Sequence, residues 1–149
     1  MSAAPRPIRE GDAFDLATHV FTADEIVAFA SRFDPQPFHL EDDAARAMHF
    51  GRLSASGWHS AALFVRLFSQ ALAREHVRAR LGPWQRIHAL RWLKPARLGD
   101  AFAFTAKITG LAADRDRVGW QVATVHGEGM NQLGELAFVL NADVLIFNG

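Results

Sequence analysis

The chain has 149 residues, half of them hydrophobic and 21% charged, which excludes a disordered polymer and suits one packed domain. Cysteine and tyrosine are absent, so disulfides, thiolate metal sites, cysteine nucleophiles and phenol acids are excluded together. Net charge is zero, yet nine acids and one base lie between Glu10 and Asp43, and eight bases and one acid between Arg66 and Arg97. Such blocks suit two solvated faces that attract each other, or a basic segment that meets an anionic partner.

No apolar stretch approaches the ~20 residues needed to span a bilayer, so no membrane partner is expected. The first residues, MSAAPRPIREGDAFDL, lack the apolar centre of a secretory signal, and a cytoplasmic protein is expected. Catalytic chemistry is left to carboxylates, the seven histidines, hydroxyls and backbone N–H groups.

In chain order, residues 14–21 alternate, with Phe14, Leu16, Thr18 and Val20 on one side, and predict a first strand. Thr22-Ala-Asp-Glu25 reads as a capping box, and Ile26, Phe29, Ala30 and Phe33 follow at helical spacing. Pro35 disfavours helical geometry at Asp34, so residues 34–39 (DPQPFH) are expected to form a stiff, extended turn. A short helix over Asp42–Met48 is opened by acids that suit a helix N-terminus. After a small-residue loop (50–57), Ser60, Leu63, Phe64, Leu67, Phe68, Ala71 and Leu72 form one apolar stripe. Gly82-Pro83 is expected to close this helix, at a length of ~35 Å.

The remainder reads as strand. Residues 85–95 lead to a turn at Arg97-Leu-Gly-Asp100, after which Phe102, Phe104, Ala106 and Ile108 alternate with more polar positions. Val118, Trp120 and Val122 are expected to share a face of the next strand, and Leu136–Phe147 alternates again after a turn at Asn131–Gly134. Long antiparallel strands following one apolar helix predict an α+β fold with a sheet wrapped around the helix. A sheet covered on one face leaves an edge to be managed, so homodimerisation is expected.

Two places can carry chemistry. Asp34 and His39 are five residues apart, and Pro35 and Pro37 restrict the chain between them. A rigid turn can hold a carboxylate and an imidazole around one water, the pair that general acid–base chemistry on water needs. Taken alone, the same residues also suit an ordinary surface turn. Ser56-Gly57 heads the long helix, where unpaired N–H groups and a glycine can receive an oxygen that gains negative charge. Taken alone, it also suits a plain N-cap. No recognised metal-ligand spacing surrounds His39 and His49, and no metal is expected. The four tryptophans most often mean core, although Trp58 beside Gly57 could line a substrate tunnel.

The stretch FASRFDPQPFHLEDDAARAMHFGRLSASGWHSAALF resembles the signature segment of MaoC-like dehydratases and (R)-specific enoyl-CoA hydratases. That family shows an Asp-x-Asn-Pro-x-His-x-Asp-like run, a small-residue loop and a glycine opening the central helix. RWLKPARLGD and NQLGELAFVLNADVLI are similar to its later strands, so the resemblance runs over roughly residues 14–147. It implies a hot-dog fold formed as one domain by residues 1–149, and a dimer (or a pair of hot-dog units) or higher homo-oligomer with the site near the subunit interface. It also implies no cofactor, and syn addition of water to a trans-2-enoyl thioester to give an (R)-3-hydroxyacyl product. Asp34 and His39 match the catalytic pair, and Gly57 the glycine that receives the thioester oxygen. Gln36, Ser56, Trp58, Arg91 and Lys94 are candidates for substrate binding, with Arg97 also near the expected coenzyme A. Gln36 stands where the family usually has Asn, Ser56 replaces a common His, and Ala62 occupies a position that is often Ser. These departures bear on the acyl pocket and so on substrate choice. The substrate implied is an acyl-CoA or acyl carrier protein thioester. The same fold could instead support thioester hydrolysis, or a non-catalytic acyl-CoA-binding protein; no aromatic-interleaved basic motif points to nucleic acid.

Overall fold

The computed structural model describes residues 4–75 and 77–148. Strand β1 (Ala13–Val20) leads to helices α1 (Ala23–Phe33), α2 (Asp42–Arg46) and α3 (Gly57–Arg74), with a 3-10 turn at Pro37–His39 between the first two. Strands β2 (Arg80–Trp92), β3 (Ala101–Ala113), β4 (Trp120–Met130) and β5 (Leu136–Phe147) follow. All pairs are antiparallel, in the order β1-β3-β4-β5-β2, so β1 and β2 are the edges. The sheet wraps α3, which is the hot-dog arrangement.

The core lies between α3 and the inner sheet face. Phe102, Phe104, Ala106 and Ile108 of β3 are buried, as their alternation predicts, and Leu63, Phe64, Phe68, Ala71 and Leu72 of α3 face them. Phe64 lies 6.5 Å from Phe104 and 6.0 Å from Phe138, ring to ring. Gly127 of β4 makes room for it, since a Cβ there would come within 2.3 Å of the Phe64 ring.

Five expectations need correction. The alternation of β1 holds only through Leu16; a register shift between Asp15 and Ala17 leaves Thr18 and Val20 exposed and Phe21 buried. The turn at 34–39 is not extended throughout, because Pro37 opens a 3-10 turn in which the His39 N–H donates to the Gln36 carbonyl at 2.9 Å. Helix α3 ends at Arg74, not at Gly82-Pro83, because its apolar stripe runs out after Leu72. At 18 residues α3 is ~27 Å long, and α2 likewise ends at Arg46 rather than Met48. Gly82 and Pro83 fall inside β2 at a register shift between Leu81 and Trp84; an edge strand tolerates a proline there. In β4 the buried face is Ala123, Val125, Gly127 and Gly129, while Val118 lies outside the strand, fully exposed.

Gly127→Ala should therefore destabilise the fold by about 1–3 kcal/mol, because the added methyl must displace Phe64 in a packed core. Urea unfolding of the two proteins measures it.

Candidate active site

Helix α1 starts at Thr22, whose hydroxyl accepts from the Glu25 N–H at 3.4 Å, and ends at Asp34, whose N–H donates to the Ala30 carbonyl at 2.9 Å. The chain then leaves helical geometry before Pro35. Asp34 thus projects from a helix end that cannot continue. The 3-10 turn that follows brings His39 back beside it. The two side chains approach to 3.3 Å, His39 Nε2 to Asp34 Oδ2.

Each member of this pair is held by other groups. His39 is buried, and its Nδ1 lies 2.6 Å from the Ser54 carbonyl. That carbonyl is fixed because the loop runs beside residues 96–98: Ala55 N–H donates to the Ala96 carbonyl and Leu98 N–H to the Leu53 carbonyl, both at 2.8 Å. A carbonyl only accepts, so Nδ1 carries a proton, and in the neutral ring Nε2 presents its lone pair to Asp34. Asp34 Oδ1 accepts from Gln36 Nε2 at 2.7 Å, and Oδ2 accepts from the Ser56 hydroxyl at 2.8 Å. The Ser56 oxygen in turn accepts the Trp58 N–H at 3.3 Å, as an N-cap does. One hydroxyl therefore joins the end of α1 to the start of α3.

Burial pushes the Asp34 carboxyl up, but the hydrogen bonds from Gln36 and Ser56 outweigh it, joined by the positive charge of His39 when that ring is protonated. The carboxyl titrates below its ordinary range. Facing it, an unprotonated Nε2 leaves two acceptors 3.3 Å apart. A water that donates one O–H to each satisfies both.

Asp34, His39 and Gly57 open on one cavity of about 420 Å³. Phe38, Phe50, Trp58, Trp92 and Phe102 give it aromatic walls, and Ala55, Ala96 and Ala137 leave space on its inner side. Gly57 is the first residue of α3, where its N–H is beyond reach of any helical carbonyl. Its missing side chain also has a steric cause: a Cβ would come within 2.4 Å of the Trp92 ring, whose Nε1–H donates to the Gly57 carbonyl at 2.8 Å. Trp92 is edge-on to Trp58, ring centroids 5.2 Å apart, and both are about half exposed.

The chain belongs to the MaoC-like domain family: residues 7–129 match the family described as MaoC like domain. Over 95% of its length this MaoC-like domain is 35% identical to 94% of the MaoC-like dehydratase from Rhodospirillum rubrum, with a TM-score of 0.79. A protein described as a monoamine oxidase regulatory protein from Archaeoglobus fulgius shares the fold at TM-score 0.83 and 22% identity, covering 100% of this chain and 99% of that one. The (R)-hydratase from A. caviae involved in PHA biosynthesis shares it at TM-score 0.71 and 24% identity, covering 95% and 98%. No curated protein matches the chain.

The other residues nominated from the sequence of this MaoC-like domain have different surroundings. Gln36 and Ser56 bind Asp34 itself and do not line the cavity. Trp58 lines it, as does Lys94, whose Nζ is 3.3 Å from Glu135 Oε2. Arg91 is exposed on β2, on the face opposite Trp92 by strand alternation, and does not line the cavity. The Arg97 side chain is occupied with the Phe50 carbonyl at 2.7 Å. Ala62 is exposed on α3 and does not line this cavity. Sequence reasoning missed Trp92 and the Ser54 carbonyl. Both act through contacts about 35 and 15 residues away in the chain, which no local pattern signals.

Ser56→Ala and Gln36→Leu should each raise the Asp34 titration, followed by carboxyl carbon NMR. The depressed carboxyl favours the fold above the ordinary carboxylate range, and that stability is lost as pH falls through it. The acid-side loss should be smaller in both variants.

Proposed function

We propose that the chain is a hydratase/dehydratase of the (R)-specific enoyl-CoA hydratase kind, adding water reversibly to a trans-2-enoyl thioester. The observation that carries this reading is the pair of facing acceptors, Asp34 Oδ2 and His39 Nε2, on the wall of an apolar cavity beside the first turn of α3. A water donating to both is oriented and made more nucleophilic, which is the work of a general base and its partner. In the hydration direction its oxygen bonds to C3 and one of its protons passes to Asp34. The C2=C3 electrons move toward the thioester, whose oxygen gains charge beside the Gly57 N–H and the positive end of α3. Return of the proton to C2 completes the addition. Both transfers come from one wall, which supports syn addition; the (R) configuration of the 3-hydroxyacyl product is taken from the family resemblance.

The acyl chain would lie among Phe38, Phe50, Trp58 and Phe102, with the CoA or acyl carrier protein arm leaving past Lys94. The whole chain is read as one unit of this kind. It is further proposed to act as a homodimer. Support comes from β2, an edge strand of 13 residues with Ile87 57% exposed on it.

Incubation with crotonyl-CoA and longer enoyl-CoAs should bleach the conjugated thioester absorbance without releasing free thiol. Asp34→Asn and His39→Gln should each lower kcat/KM by about 10²–10⁴. Thiol release in place of hydration, or unchanged rates in both variants, would overturn the reading.

A further inference from the structure

A second cluster of titratable groups lies outside the cavity. His59, third residue of α3, is 7% exposed and stacks on Phe29 of α1 with centroids 4.8 Å apart and planes 9° from parallel. Phe21 meets it edge-on at 5.6 Å. Its Nε2 is 3.5 Å from Glu25 Oε1, and the same carboxylate oxygen contacts Nε2 of His19 on β1. The other Glu25 oxygen accepts from the Thr22 hydroxyl at 3.1 Å. His59 Nδ1 is sealed from solvent and has no hydrogen-bond partner among the described residues.

These contacts set the protonation of the cluster. A carboxylate only accepts, so both rings direct an N–H at it from Nε2. In the neutral ring, His59 Nδ1 is then a bare lone pair, which its apolar surroundings tolerate. In the charged ring it would be a buried donor with nothing to bond, next to His19, which competes for the same carboxylate. Burial holds the His59 imidazole below its ordinary range; Glu25 opposes this and His19 adds to it.

The cluster is tied to the cavity through two helices. The His59 N–H donates to the Ser56 carbonyl at 3.0 Å, so ring and N-cap share one turn of α3. Glu25 is in the first turn of α1, the helix that Asp34 ends. Helices α1 and α3 are therefore joined twice, by Glu25–His59 and by Asp34–Ser56. We infer that Glu25 and His59 are positioning residues: their contact holds α1 against the first turn of α3, so that Asp34 meets Ser56 and faces the cavity. The inference rests on the proposed hydratase reading for its kinetic consequence only.

His59→Phe keeps the aromatic stack and removes the donor, whereas His59→Gln keeps a donor for Glu25 and cannot titrate. His59→Phe should lower kcat by roughly 10- to 100-fold with KM within about twofold, since small misplacements of a catalytic group cost rates of that order. It should also raise the Asp34 carboxyl titration seen by NMR. His59→Gln should keep most of kcat. The unfolded chain takes up a proton more readily than the buried ring, so wild-type stability falls as pH drops through the ordinary imidazole range. Both variants should lack that fall. Glu25→Gln should reproduce the Asp34 shift, and replaces His59→Phe as the test if the latter does not fold. An unchanged Asp34 titration in folded His59→Phe or Glu25→Gln would overturn the inference, as would a His59→Gln kcat as low as that of His59→Phe. If the wild-type protein hydrates no thioester, the hydratase reading fails alone, and the NMR titrations still decide the clasp.

Discussion

The Ser56 hydroxyl, 2.8 Å from Asp34 Oδ2, is the contact on which the site depends. It is a side-chain bond between two helix ends, one stopped by a proline and one begun by a glycine. Its single proton goes to the carboxylate and its lone pair receives the Trp58 N–H, so both functions are used at once. A residue of different donor geometry would satisfy one helix end and strand the other.

The imidazole is fixed by a different logic. His39 reaches the Ser54 carbonyl from a 3-10 turn only three residues long, and that carbonyl is held by pairing with residues 96–98. The ring orientation is thus inherited from the sheet side of the molecule, while the carboxylate is inherited from the helices. A cavity wall in which one acceptor belongs to each part gives a water two independent anchors. Its apolar surroundings strengthen both hydrogen bonds by excluding competing solvent.

Gly57 shows how one residue type can satisfy two demands. A helix N-terminus open to a ligand and a close indole both exclude a side chain there, and the structure attributes the tightest contact to Trp92. The ring that enforces the glycine is also a wall of the cavity. Packing and site geometry are therefore not separable at this position.

Much of this was legible in the linear chain, where the relevant physics is local. Prolines 35 and 37, the Thr22 cap, the α3 stripe and the alternation of β3 act within a turn or a strand, so the order of elements could be read from spacing. The pairing of Asp34 with His39 was instead implied by the family resemblance, and is made by a 3-10 turn that spacing did not show. Boundaries set by distant partners could not. The bulge that turns Phe21 inward, the edge position that admits Pro83 to a strand and the buried side of β4 each depend on what lies across the sheet. The same holds for Trp92 on Gly57, Ser56 on Asp34 and Glu25 on His59. Residue types and short-range geometry specify which groups are available; only folding determines which lone pair each proton meets, because that is a matter of ångströms between segments that are remote in the chain.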